Sequence, residues 1–196
     1  MWRAIWAQSA DGVIGDGLDM LWRMPADMRF FSAATRGVMS GMGSCNVVAM
    51  GRSTWESFSP RYRPLPQRVN YVLSSRAPGA WSQGATVVGS LAEVPADAWI
   101  LGGGSVYRQA LPFVDEVLVT TFDVRVRHLL GDEAVTVPSL EGFRRVPIKP
   151  AEGEFIRDPD GYMTIEGPGL PARGEVGYRF DRFINPQPLP LDTLPK

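Results

Sequence analysis

The chain has 196 residues, 44% of them hydrophobic and 21% charged, with a net charge of −1; these values predict one soluble domain with a sizeable core and exclude a broad basic surface for nucleic acid. A single cysteine, Cys45, excludes an internal disulfide, and a single histidine, His128, is too little for a metal site, so no metal is expected. No apolar run reaches membrane-spanning length, and "MWRAIWAQSADG" turns polar too early for a secretory signal, so a cytoplasmic protein without membrane contact is expected.

The first predicted strand is "WRAIWAQ", followed by "GVIGDGLDMLW", whose three glycines among aliphatic residues suit a loop that covers a ligand and moves. Pro25 fits the first position of a helix, where its fixed φ and missing N–H cost nothing, and no breaker follows, so a helix is predicted over 25–35. On that helix positions 27, 31 and 34 share one face, which sets the carboxylate of Asp27 beside Phe31 and Ala34. A buried unpaired carboxylate costs several kcal/mol or stays protonated. A partner must come from the rest of the chain or from a ligand.

"TRGVMSGMGSC" is longer than a median connection and reads as a local insertion. Beyond it the strands "NVVAMG", "RVNYVLSS", "ATVVG", "AWILGGG" and "EVLVTTFDV" are predicted, with helices at 54–58, 90–94 and 105–111. This alternation argues for an α/β domain with a largely parallel sheet. After residue 140, "FRRVPIKPAEGEF", "DGYMTIEG" and "VGYRFDRFIN" read as antiparallel strands between proline and glycine turns. The expected fold is a single α/β domain over 1–184, with a mixed, mostly parallel, eight-stranded sheet, about four helices and antiparallel C-terminal strands. The tail over 185–196 carries four prolines and is expected to lie extended on the surface.

Two strand ends carry hydroxyls and arginine: "MGRST" (Gly51, Arg52, Ser53, Thr54) and "LSSR" (Leu73, Ser74, Ser75, Arg76). Free N–H groups at a helix start, small hydroxyls and a guanidinium together make a phosphate cradle at the carboxyl edge of an α/β sheet. A second reading fits equally: Ser53 and Glu56 form an S-x-x-E capping box, and Arg76 is a solvated charge. "WILGGGSVY" is a strand, three glycines and a helix start, which suits either close backbone approach to a pyrophosphate or a tight strand-to-helix connection. It departs from the Rossmann fingerprint because Tyr107 occupies the third glycine position; Asp123, near the spacing of a ribose-binding acid, keeps that alternative open. The arginines after earlier strands point instead to a 2′-phosphate. Arg68 suits either bidentate grip of a carboxylate or plain exposure, Thr120 is a strand former or a site residue, and Trp22 is core or site. His128 reads as a loop residue with no role.

With "ADGVIG", "LWRMPADM", "MGRSTWESF", "RPLPQRVNYVLSSR" and "ILGGGSVY" in this order, the chain resembles the dihydrofolate reductase family over residues 5 to 123. The resemblance implies NADPH as cofactor, dihydrofolate as substrate, antifolates as inhibitors and a monomer. It makes the missing partner of Asp27 the N3 and 2-amino edge of a pterin, and implies hydride transfer to C6 with protonation of N5. It assigns Ile5, Met28, Phe31, Phe58 and Leu65 to the pterin and aminobenzoyl pocket, Arg68 to the glutamate α-carboxylate, and Thr120 to Asp27 or its water. On the cofactor side it implies nicotinamide contacts from Ala7 and Ile14, and phosphate contacts from Gly51, Arg52, Ser53 and Thr54. Leu73, Ser74, Ser75, Arg76 and Leu101 fall on the cofactor, with Ser74 and Arg76 at the 2′-phosphate, and Gly102, Gly103, Gly104, Ser105, Val106 and Tyr107 pass under the pyrophosphate, with the Gly102–Gly103 bond cis. Trp22 and Met20 belong to a mobile lid.

Leu21 departs from the proline usual in that family, which leaves the stiffness of the lid open. The 36–45 and 125–132 loops are longer than in many bacterial members, and Asp132 is only a candidate latch for the lid. Two alternatives remain open on sequence alone: a related reductase of a pyrimidine in riboflavin synthesis, and a nucleotide-binding module without turnover. The first would need a second phosphate site in place of Asp27 and Arg68.

Overall fold

A computed structural model describes residues 1–17, 19–39, 41, 43–150 and 154–195. Its centre is β1 (Trp2–Ser9), flanked by two parallel neighbours, β7 (Ala98–Ile100) and β8 (Glu116–Phe122). The residues of β7 and β8 are all buried, as expected of strands covered on both faces. Parallel pairing continues from β7 through β4 (Val47–Gly51) and β5 (Val69–Leu73) to β6 (Thr86–Val88). On the other side β13 (Gly177–Ile184) runs antiparallel to β8, and β10 (Arg144–Lys149) and β11 (Ile156–Arg157) both pair with β13. Among the described residues the sheet is the expected mixed, mostly parallel one, with nine strands because the two-residue β11 shares β13 with β10.

Among the described residues four α-helices accompany it: α1 (Pro25–Thr35), α2 (Arg52–Ser57), α3 (Gly104–Ala110) and the short α4 (Arg127–Leu130). One core cluster joins Trp22, Phe30, Met50, Trp99 and Phe122, and another joins Trp2, Ile100, Phe113 and Val117. On α1 the buried positions are Asp27, Phe30, Ala34 and Thr35. Phe30 rather than Phe31 completes the core stripe, and its ring stacks on Phe180 with centroids 4.1 Å apart. Phe31 is half-buried at the edge of the stripe.

Several short elements depart from the sequence reading. The helix expected at 54–58 begins at Arg52, and 90–94 is a 3-10 turn over Leu91–Glu93, where Glu93 accepts the N–H groups of Gly89 and Ser90. "DGYMTIEG" contributes only β12 (Tyr162–Met163), which pairs with β3 (Trp22–Arg23) outside the main sheet. A second small ladder joins β2 (Val13–Gly15) to β9 (Val135–Thr136). Ladders this short have no room for an alternating pattern, so periodicity gives no sign of them. His128 lies in α4 rather than in a loop.

β10 stops at Lys149 before Pro150, and residues 151–153 of the expected strand lie outside the described residues. So do residues 40 and 42 of the 36–45 loop, residue 18 of the glycine-rich loop before α1 and residue 196 of the tail. In the tail, Leu189 N–H donates to Pro112 O, and Leu194 is buried against the second core cluster. Tertiary contacts therefore tie this proline-rich segment to the domain.

Candidate active site

Asp27 enters the core because α1 presents it on the same stripe as Phe30 and Ala34. The residue is 7% exposed, and Oδ1 accepts a hydrogen bond of 2.6 Å from Thr120 Oγ1 on β8. Burial pushes the Asp27 pKa up to about 6, and the Thr120 hydroxyl opposes the rise. No cation pairs with the carboxylate among the described residues. The indole of Trp22 packs on Phe122 with centroids 4.6 Å apart, and its buried Nε1 finds no acceptor among the described residues. Tyr107 donates to Ile5 O at 2.6 Å; burial, then the Asp27 charge, raise its pKa and keep the phenol protonated.

Apolar residues assigned to the substrate pocket by resemblance include Ile5 and Leu65, which are buried, Phe31 and Phe58, which are half-buried, and Met28, which is exposed. Arg68 donates from Nη1 to Thr35 Oγ1 at 2.9 Å and from Nε to Pro66 O at 3.1 Å, with its guanidinium 5.7 Å from the Phe31 ring centroid. Burial, helped by the nearby charge of Arg36, lowers its pKa. Among the described residues Arg68 has no acidic partner. A half-buried guanidinium held by neutral groups is suited to an external carboxylate.

A glycine-lined cradle is formed where β4, β7, α2 and α3 converge. Gly51 N–H donates to Gly102 O at 2.7 Å, and the Gly102–Gly103 peptide is cis. Gly102 has φ +93°, and a Cβ there would lie 2.5 Å from the Tyr107 ring; one on Gly51 would lie 3.1 Å from Val106. A Cβ on Gly103 would stand 3.3 Å from Thr54 Oγ1. Glycine is therefore required at Gly102, where both the positive φ and the ring exclude a side chain, while Gly51 and Gly103 sit tightly against neighbouring side chains. Ser53 and Thr54 lie in the first turn of α2, Ser105 and Val106 in that of α3, and Leu101 and Gly104 flank the turn. Ala7 on β1 pairs in register with Thr120, and Ile14 lies on β2.

The capping box read from Ser53 and Glu56 is not formed: Gly51 is the N-cap and no side chain caps α2. The Glu56 carboxylate instead meets Arg52 at 3.2 Å and Arg76 at 3.8 Å, and Arg76 also lies over the Trp81 ring at 5.3 Å. Arg76 is thus oriented rather than freely solvated. Its backbone N–H donates to Ser74 Oγ at 3.0 Å, which folds Leu73, Ser74, Ser75 and Arg76 into a tight turn at the end of β5. Sequence reading placed no role on Glu56 beyond the box; its i, i+4 spacing from Arg52 was the available signal.

Asp132, the candidate latch for the lid, makes no hydrogen bond to it among the described residues. The 12–15 segment is held there by backbone pairing instead, since β2 runs along β9 and Val137 N–H donates to Gly12 O at 3.1 Å. Sequence reading also missed Asp158, whose buried carboxylate accepts from Ala26 N–H at 2.8 Å. "DPDG" around it was a visible turn signal.

Comparison with known proteins supplies an independent line. The family model described as "Dihydrofolate reductase" matches residues 1–146. The chain is 42% identical over 135 residues to a dihydrofolate reductase of Mycobacterium tuberculosis (strain CDC 1551 / Oshkosh), covering 68% of this chain and 78% of the relative. It is 40% identical over 143 residues to that of Mycobacterium leprae (strain TN), covering 70% and 80%. A solved dihydrofolate reductase from Enterococcus faecalis, complexed with NADP(H) and RAB-propyl, matches the fold with TM-score 0.67 at 21% identity, over 95% of this chain and 97% of that one. The matched span holds the buried acid, the arginine held by neutral groups and the glycine cradle, and on this match the chain belongs to the dihydrofolate reductase family.

Proposed function

We infer that the chain catalyses NADPH-dependent reduction of 7,8-dihydrofolate to 5,6,7,8-tetrahydrofolate. The observation that carries this reading is Asp27: a carboxylate buried on an apolar stripe, with one hydroxyl donor and no cation among the described residues. A flat, amidine-like edge that donates two hydrogen bonds completes such a group. The N3 and 2-amino edge of a pterin has that pattern.

Hydride addition to a C=N bond is far easier once its nitrogen is protonated. Asp27 binds the pterin edge and favours the cationic form of the substrate. Hydrogen bonds from the pterin oppose the upward push of burial on its pKa. Because the acid grips the edge opposite N5, the N5 proton comes through water rather than directly from the carboxyl. Thr120 orients the carboxylate, and Trp22 closes the site against bulk water. Ile5, Met28, Phe31, Phe58 and Leu65 enclose the rings, and Arg68 takes the glutamate α-carboxylate.

The glycine cradle and the hydroxyl and arginine set suit a dinucleotide with a 2′-phosphate. Arg52, Ser53, Thr54 and residues 102–107 hold the pyrophosphate side, Ser74 and Arg76 the 2′-phosphate, and Ala7 and Ile14 face the nicotinamide. When bound, NADPH supplies the hydride. Loss of absorbance at 340 nm on adding dihydrofolate to protein and NADPH tests the whole reading; NADPH binding without oxidation would overturn it.

A further inference from the structure

We propose that Asp158 and Thr164 are positioning residues for this reduction, through a strap over Asp158–Gly174 that grips both the helix of Asp27 and the lid. The proposal rests on the reaction inferred above. It concerns a segment outside the residues that the family model matches.

α1 lacks an N-terminal side-chain cap of its own, because Met24 stands at the N-cap. Pro25 has no N–H to satisfy, so Ala26 carries the first orphan donor of the helix. Asp158 answers it from across the fold: Oδ2 accepts Ala26 N–H at 2.8 Å, Oδ1 accepts Asp160 N–H at 3.1 Å, and the side chain is 6% exposed. Arg29 of the same helix approaches Oδ2 at 3.6 Å. An anion at this end also matches the helix dipole. Ala26 directly precedes Asp27, so the cap fixes the backbone from which the buried acid projects.

The same strap holds the lid. Tyr162 and Met163 pair antiparallel with Arg23 and Trp22, and the next residue, Thr164, donates its N–H to Leu21 O and its hydroxyl to Met20 O, each at 2.9 Å. Gly161 is pressed against Met24 so closely that a Cβ would lie 2.6 Å from its sulfur. Gly174 N–H closes the strap on Gly161 O at 2.7 Å, and Arg173 covers the Tyr162 ring at 4.7 Å. Where Leu21 replaces a proline, strand pairing supplies the restraint that a fixed φ would have given.

The test uses the full chain with Asp158→Ala, Asp158→Asn and Thr164→Val. Single-turnover oxidation of NADPH by saturating dihydrofolate, the Kd for NADPH and the unfolding midpoint are measured for each. Misplacement of a reacting group by about 1 Å can cost up to ~100-fold, so a partly loosened helix should slow hydride transfer about tenfold in Asp158→Ala. Its Kd for NADPH should stay within about twofold, because the strap does not touch the glycine cradle. Asp158→Asn keeps an acceptor for Ala26 N–H and should recover most of the rate. Thr164→Val loses only the bond to Met20 O and should slow transfer about threefold.

A folded Asp158→Ala protein with the wild-type rate overturns the proposal, as does an Asn variant no faster than Ala or an equal loss of NADPH affinity. If Asp158→Ala does not fold, an unchanged rate in Thr164→Val overturns it. Wild-type protein that fails to oxidise NADPH defeats the reaction and the strap's role together. An active wild type with indifferent variants defeats the strap alone.

Discussion

Replacing Asp27 by asparagine tests the site from two sides, because the buried acid should cost stability while it supports activity. Its pKa in the folded chain, about 6, lies above the ordinary 3.8, so folding favours the protonated form. Stability is therefore full below about pH 4 and falls as the pH rises through 6. The interval between those values corresponds to roughly 3 kcal/mol once the carboxyl is ionised. Asparagine carries no charge but buries a carboxamide N–H without a clear partner, which returns about 1–2 kcal/mol of the gain. Unliganded Asp27→Asn should thus be more stable than wild type by about 1–2 kcal/mol at pH 8, a rise of several degrees in Tm. Below pH 4 that advantage should disappear.

Activity should move the other way. Two charge-assisted hydrogen bonds to the pterin, each worth about 1.5–3 kcal/mol, predict a loss of about 100- to 10,000-fold in kcat/KM at pH 7. Solvent can protonate the substrate instead, so the variant's kcat/KM should climb about tenfold per pH unit lowered. Thermal unfolding from pH 4 to 8 and a pH–rate profile at 340 nm measure both arms. Full activity at pH 7, or a variant less stable than wild type at pH 8, would refute the reasoning.

Arg76→Ala removes the guanidinium held between Glu56 and Trp81, and should weaken NADPH about tenfold while changing NADH less than about twofold; fluorescence titration with both cofactors measures the difference. Arg68→Ala should raise KM for dihydrofolate about 30- to 100-fold with kcat nearly retained, and Arg68→Lys should fall between, because a lysine cannot grip a carboxylate with a planar fork. Gly102→Ala combines a φ of +93° with a Cβ 2.5 Å from the Tyr107 ring, and should cost about 2–4 kcal/mol in denaturant unfolding and weaken NADPH binding.

The parallel core of the sheet was legible because β1, β4, β5, β7 and β8 are short, predominantly apolar runs bounded by glycine and polar residues, a signal that depends only on local sequence. Asp27 was legible for the same reason: a charge that interrupts an apolar helical stripe is visible without knowing what faces it. Its neighbour on the stripe was harder to choose, since Phe30 and Phe31 are adjacent and a wheel alone cannot say which one meets Phe180. The capping box at Ser53 failed because Gly51 already closes the strand-to-helix turn, which shifts the helix start to Arg52 and frees Glu56 for two arginines.

The long-range contacts that sequence could not show share one physical character: they join short segments far apart in the chain. β2 meets β9 across more than a hundred residues, β3 meets β12 across a similar span, and Asp158 reaches Ala26. The two ladders span two or three residues and the Asp158 contact a single pair, too few to carry a period, and each is decided by where the large sheet leaves its loops. The central sheet brings the lid, α1 and the Asp158–Gly174 strap to the same region. Backbone pairing and a single buried carboxylate then hold them, so Asp27 depends on a residue 131 positions later in the chain.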